Sequence, residues 1–414
     1  MSGRRRVAIT GIGVITPIGI THAALWQGVL AERSAVQHVT RFDPGIFRSH
    51  NAAQVDDFVP TDHLEARRVK RLDRFGQFSV AGARLALEDA GLVLEREDRD
   101  RVGSSMGTAL GGVGYAEEQL GNFLQHGLRA VNATLALAVF GGAASCNIAI
   151  EFGVCGPNST NAMSCASGTM AIGEGFRAIR DDYADVMICG GAEAPLAPLC
   201  FGSFALIRAM STRNDDPGSA SRPFDRDRDG FVMGEGSAVL ILEEWERARA
   251  RGAPMYAELL GYGTTNDAYH MTAPRPDGSQ AARSMQLALR DAEVNAGEID
   301  YVNAHGSSTP LNDVTETIAI KQVFGERASR MPVSGTKGYY GHALGASGAI
   351  EAAICALAIK RSWLPPTINL DAADPDCDLD YVPRTGRAAP MEHVLSNSFG
   401  FGGVNASLVF RRAG

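Results

Sequence analysis

Short apolar runs that read as buried strands alternate with helix-length segments along nearly the whole chain. This alternation limits the fold more than any other feature. Strands are predicted at residues 7–15, 101–106, 184–190 and 238–243, with helices at 23–31, 170–183 and 244–251. Near residues 252–254 the pattern begins again. Strands at 256–261, 299–304, 333–334, 394–398 and 406–410 are interleaved with helices at 280–292, 315–324 and 346–360. The fold class is therefore α/β, with parallel sheets covered by helices. The two rounds divide the chain into halves, 1–253 and 254–414, although no internal sequence repeat is visible. Residues 135–152 are apolar and rich in small side chains, and read as a buried helix or an interface.

Composition removes several function classes. A chain of 414 residues with 45% hydrophobic and 21% charged side chains is an ordinary globular protein. A net charge of −8 argues against nucleic acid as the main partner. The seven cysteines form no Cys-x-x-Cys pair, which argues against a structural zinc or dithiol site and fits a reducing, cytoplasmic location. The basic start runs into an apolar segment cut by Gly11 and Gly13, which suits a first buried strand better than a signal peptide. No stretch is long and apolar enough for a membrane span. Residues 107–112 miss the dinucleotide spacing and carry no P-loop lysine. Asp225, Asp227 and Asp229 alternate like calcium ligands, but the closing glutamate is missing and a surface loop is predicted.

Chemistry concentrates at three places. Cys165 stands on a turn of small residues entering a helix, where backbone N–H groups and the helix dipole favour a thiolate and can hold an oxyanion. A small buried cysteine in a tight turn would look the same on this stretch alone. His305 follows a strand on a Gly/Ser/Thr loop, and Lys337 and His342 occupy a similar loop. The carboxyl ends of strands are where open α/β sheets bind ligands. Neither the spacing nor the flanks of Cys165, His305 and His342 fit a metal site. His270 reads as structural. Arg67, Lys70, Arg71 and Arg74 fall on one stripe of a predicted helix reaching toward Leu92, either a solvated face or a dock for an acidic partner.

The segments around Ser164-Cys165, Asn303 to Thr309, Thr336 to His342 and Asn397 to Asn405 together resemble the β-ketoacyl-acyl-carrier-protein synthases. More narrowly they resemble the elongating type II ketosynthases of fatty acid and polyketide synthesis, within the thiolase superfamily. The resemblance spans residues 7 to 410. It implies a duplicated α-β-α-β-α fold, with the nucleophile in the first half and both histidine loops in the second. It implies decarboxylative condensation of malonyl-acyl carrier protein with an acyl chain held on Cys165. His305 and His342 would bind the malonyl thioester carbonyl, with Lys337, Glu351 and Asp313 in support. N–H groups of Cys165 and Phe401 would hold the oxyanion. Phe399 and Phe401 match the gate motif, Ser307 and Thr309 the pantetheine channel, and Leu110 and Phe204 the acyl pocket. The resemblance implies no free cofactor, because substrates ride on the carrier's phosphopantetheine, and no metal. Acidic acyl carrier protein becomes the partner for the basic stripe with Arg129.

Residues 135–146 and Tyr339-Tyr340 depart from the pattern usual in general fatty-acid enzymes. The reading is a biosynthetic ketosynthase, a homodimer or one paired with a chain-length-factor-like subunit. Two other classes fit the sequence less well. An inactive partner subunit conflicts with the joint presence of Cys165, His305, Lys337 and His342. A coenzyme A-dependent thiolase would need a second cysteine near the C-terminus, which the Gly-Phe-Gly-Gly loop lacks.

Overall fold

The computed structural model describes residues 4–414. Ten strands carry the fold: β1 Val7–Thr16, β2 Val102–Gly107, β3 Asn158–Asn161, β4 Val186–Glu193, β5 Gly236–Glu244, β6 Ala257–Asn266, β7 Ile299–Asn303, β8 Val333–Ser334, β9 His393–Gly400 and β10 Val404–Arg412. They lie in the order β8-β7-β9-β10-β6-β1-β5-β4-β2-β3, and Gly19–Ile20 adds a short hairpin to β1. From the centre outward the two halves read β1-β5-β4-β2-β3 and β6-β10-β9-β7-β8. Each strand of the first half has a counterpart five strands later, so the duplication that the sequence hides is explicit in the topology.

The parallel sheets read from the alternation are only half of what forms. β4, β2 and β3 run parallel, as do β9, β7 and β8, whereas β1, β5 and β4 pair antiparallel, as do β6, β10 and β9. β1 joins β6 antiparallel. A strand buried on both faces is apolar throughout, so its hydrophobicity carries no record of its neighbour's direction.

Six helices complete the layers: α1 Arg74–Ala90, α2 Ala143–Phe152, α3 Ser167–Arg180, α4 Ser279–Ala292, α5 Pro310–Phe324 and α6 Ser347–Arg361. α1 covers β1 and β5 from outside, and α4 covers β6 and β10. α3 and α6 pack on each other between the sheets, giving the α-β-α-β-α order. α6 is buried on every side from Ser347 to Ile359, which is why its alanine-rich sequence has no polar face. The central helices approach through glycine: a Cβ on Gly168 would fall 2.7 Å from the Gly345 carbonyl oxygen, and one on Gly348 would fall 2.0 Å from Thr169 Oγ1. Their N-termini carry Cys165 and the turn after His342, so this packing brings the halves' chemistry together.

Two local expectations are corrected, the single basic helix and the 221–236 surface loop. The basic stripe is not one helix. Ala66–Val69 forms a four-residue turn of helix, and the chain reorients before α1 because Arg74 is drawn inward to the buried carboxylate of Glu235. Arg41 binds the same carboxylate. Residues 135–152 form Leu135–Val139 and then α2, and leave Leu137, Phe140 and Ile150 exposed, so the face is not buried within the chain. The 221–236 segment is no surface loop. Asp225 is fully buried, pairs with Arg222 at 2.9 Å and receives the N–H groups of Asp371 and Ala372. Tyr339 and Tyr340 are core side chains, bonded to the Pro366 carbonyl and to Thr336 Oγ1.

Candidate active site

Three strand ends and one hairpin converge on a cavity of about 340 Å³. After β3 the chain enters a single 3-10 turn, Ser164–Ala166, and then α3. Ser164 holds the left-handed conformation at φ 52°, which turns the chain sharply and presents Cys165 at the helix N-terminus. The β9–β10 hairpin reaches the same point. A Cβ on Gly400 would lie 3.1 Å from the Cys165 backbone nitrogen, so glycine there permits the approach. Ser164 Oγ stands 3.7 Å from that sulfur.

The thiol's environment pulls both ways. Burial pushes the Cys165 thiol up, against the sequence expectation of a favoured thiolate; the Ser164 hydroxyl, the Lys337 charge and the Phe401 N–H pull it back.

His305 lies past β7, where its backbone N–H and that of Gly306 each donate to the buried carboxylate of Glu316 at 2.8 Å. Asn397 also donates to Glu316. Lys337 Nζ sits 3.4 Å from His305 Nδ1 and also donates to the His305 carbonyl and to Glu351. An ammonium donating to Nδ1 makes that nitrogen the acceptor and leaves the proton on Nε2. His342 Nδ1 lies 2.8 Å from the Ser347 hydroxyl at the start of α6. Its backbone is held by the Val232 carbonyl and Gly234 N–H, which fixes it to the buried 232–234 segment. The imidazoles face edge to face at 5.3 Å between ring centres. Both have pKa values well below the ordinary histidine value: burial is the main cause and the Lys337 charge adds to it. Burial, with the Lys337 charge adding to it, favours two neutral imidazoles in the cavity, and the ammonium is paired with Glu351.

Cys165, His305, His342, Ser307, Thr309, Phe399, Phe401 and Phe204 all line the cavity. Ser307 and Thr309 are hydrogen-bonded to each other at 2.8 Å, and Phe204 stacks on Phe401 at 6.3 Å. Leu110 lies outside the open cavity, in the apolar cluster that packs around Cys165. Lys337 and Glu351 are buried behind the histidines. Asp313 sits further back, where it binds the Phe224 N–H and pairs with Arg228 at 3.5 Å. Arg67, Lys70, Arg71 and Arg129 are exposed, whereas Arg74 is committed to Glu235 and leaves the stripe. His270 is exposed, its Nδ1 accepting the Thr272 and Ala273 N–H groups. No group of three or more His, Cys, Asp or Glu side chains suited to a metal occurs among the described residues.

Sequence reasoning missed Glu316, Ser347, Glu193 and the 267–275 loop. Glu316 stands one turn after Asp313 on α5, and that spacing was the available signal. Ser347 sits five residues after His342 in a small-residue run that offers none.

Comparison with known proteins agrees with this geometry. The β-ketoacyl synthase N-terminal domain matches residues 4–248 and the C-terminal domain residues 256–371. A 3-oxoacyl-[acyl-carrier-protein] synthase 2 of Synechocystis is 48% identical over 99% of this chain and 98% of its own length. Among solved structures, the ishigamide ketosynthase/chain length factor is 38% identical over the full length of both chains, with a TM-score of 0.93. A type II polyketide ketosynthase bound to the hexaketide, in complex with its acyl-carrier protein, is 36% identical over 99% of this chain, with a TM-score of 0.92. The chain belongs to the β-ketoacyl synthase family, and within it to the elongating ketosynthases of fatty acid and polyketide synthesis.

Proposed function

We propose that this chain condenses malonyl-acyl carrier protein with an acyl group carried on Cys165, releasing carbon dioxide and a β-ketoacyl-acyl carrier protein. The observation that carries the reading is the neutral imidazole pair, with Lys337 fixing His305 and Ser347 fixing His342, in one cavity with the nucleophile. Cys165 Sγ attacks the acyl thioester of the carrier. The tetrahedral oxyanion is held by the N–H groups of Cys165 and Phe401, and the carrier's thiolate departs with a proton. Malonyl carrier enters next. Nε2–H of His305 and of His342 donate to its thioester carbonyl, and the C–C bond to the carboxylate breaks. The electron pair stays as the enolate. The enolate carbon attacks the Cys165 thioester, and the Cys165 thiolate leaves.

Ser307 and Thr309 line the way in for the pantetheine arm, Phe401 and Phe399 gate the acyl side, and Leu110 with Phe204 bound the chain. Glu351 balances the Lys337 charge, and Asp313 braces the backbone from behind. Substrates arrive on phosphopantetheine, so no free cofactor and no metal takes part. Arg67, Lys70, Arg71 and Arg129 offer positive charge to the acidic carrier. The chain works as two halves, 1–253 supplying the nucleophile and 254–414 the histidines, in the cytoplasm; no described helix is long and apolar enough to cross a membrane.

A second reading concerns the partner. Leu137, Phe140 and Ile150 are 68%, 46% and 68% exposed, a face that a second subunit would cover. That subunit is a copy of this chain or a chain-length-factor-like relative. The deciding experiment is carbon dioxide release from malonyl carrier by the purified chain alone. Release that disappears in His305→Ala and His342→Ala supports self-sufficient catalysis. Release only after adding a second subunit supports the paired enzyme, and none in either case contradicts the reading.

A further inference from the structure

Glu193 ends β4 with no exposed surface, and its carboxylate accepts four hydrogen bonds from two separate loops. Thr108 Oγ1 at 3.0 Å, the Ala109 N–H at 2.6 Å and the Leu110 N–H at 3.1 Å come from the loop after β2. The Gly345 N–H at 3.0 Å comes from the turn just after His342. The loops are in backbone contact: a Cβ on Gly345 would fall 2.4 Å from the Ala109 nitrogen. Leu110 and Leu344, one from each loop, pack in the apolar cluster that surrounds Cys165 with Phe201 and Phe204.

This carboxylate therefore clasps two walls of the nucleophile's apolar side, one of which continues into the His342 turn. Resting on the ketosynthase reading of Cys165, we propose that Glu193 is a positioning residue that sets which acyl chains the Cys165 site accepts. Only a carboxylate at this point accepts from all four donors: one oxygen takes the Ala109 and Gly345 N–H groups, the other Thr108 Oγ1 and the Leu110 N–H. A glutamine that keeps its carbonyl oxygen on Ala109 and Gly345 turns its NH₂ toward the Leu110 N–H and releases that wall. Burial pushes the Glu193 carboxyl up to about 7, against the pull of its four donors, and its charge is among the influences that raise the Cys165 thiol. The clasp thus touches the nucleophile through packing and through charge.

The test compares acyl transfer to Cys165 from butyryl and palmitoyl carrier protein in the wild type, Glu193→Gln and Thr108→Val. Thr108→Val removes one donor and keeps the carboxylate, so it reads the clasp even if Glu193→Gln folds poorly. The ratio of palmitoyl to butyryl kcat/KM rises about tenfold in Glu193→Gln, the size expected for one lost hydrogen bond that held a wall in place, and less in Thr108→Val. The pH midpoint of Cys165 alkylation falls in Glu193→Gln and stays put in Thr108→Val. An unchanged ratio in both variants, or an unmoved midpoint in Glu193→Gln, overturns the proposal. A wild type that takes no acyl group from either carrier instead contradicts the ketosynthase reading itself.

Discussion

Lys337 and His305 are tied twice: the ammonium lies 3.4 Å from the imidazole Nδ1 and also binds the His305 carbonyl. The lysine thereby fixes both the ring's tautomer and its loop. Its charge is balanced by Glu351, and neither side chain of that ion pair has any exposed surface.

Removing one partner of that pair strands the other charge. Lys337→Met is expected to destabilise the protein by about 3–5 kcal/mol, and the double variant Lys337→Met/Glu351→Gln to recover most of it. Condensation stays lost in both, because nothing then holds His305 as an Nε2–H donor. Denaturant melts beside carbon dioxide release check this; a double variant as unstable as the single one would contradict it.

Ser347 plays the corresponding part for His342. Ser347→Ala deletes one hydrogen bond, worth about 0.5–1.5 kcal/mol, and malonyl decarboxylation should slow by up to about tenfold. Acyl transfer to Cys165, which precedes decarboxylation, should be unchanged. Equal loss in both half-reactions would count against this role.

The two imidazoles also shape the pH response. Their folded-state pKa values are depressed, so below about 6.5 the unfolded chain takes up protons that the folded chain refuses. Each costs the folded state roughly 1.4 kcal/mol per pH unit below that point. Glu193 and Glu316, raised to about 7, act in the opposite sense: their contribution is complete below about 4.5 and is lost as pH rises through 7. The expected signature is therefore differential: His305→Asn/His342→Asn loses less stability than the wild type between pH 7 and pH 5. Parallel curves would show that the histidines are not held neutral.

The basic surface separates into two functions. Charge reversal at Arg67 and Arg71 should raise KM for carrier protein, more strongly at low salt, and leave kcat alone. Arg74→Ala should instead lower stability, because Arg41 alone then faces the buried Glu235. A carrier KM that responds to Arg74 and not to Arg67 or Arg71 would reverse this division.

The strands and the reacting groups were legible because each leaves a local mark: an apolar run, or a Cys or His among small residues at a strand end. What escaped was set by distant partners. The break between Val69 and Arg74 is dictated by Glu235, far along the chain, and no helical periodicity reveals it. Asp225 reads in sequence as part of a surface loop, and only the fold encloses it with Arg222 and the 371–372 backbone. β4 and β9 each have one parallel and one antiparallel neighbour, and their apolar sequences do not distinguish the two. Glu316 and Glu193 are ordinary glutamates in sequence, and only the folded loops supply the N–H groups they hold.

The intact mass of the purified chain after exposure to acyl carrier protein loaded with an acyl group, then to malonyl carrier, is the most direct measurement. Cys165 should gain the mass of the acyl group, lose it when malonyl carrier is added, and yield a β-ketoacyl carrier; Cys165→Ala should gain nothing. Acylation at another residue, or an acyl group on Cys165 that malonyl carrier does not discharge even with a partner subunit present, would contradict the assignment.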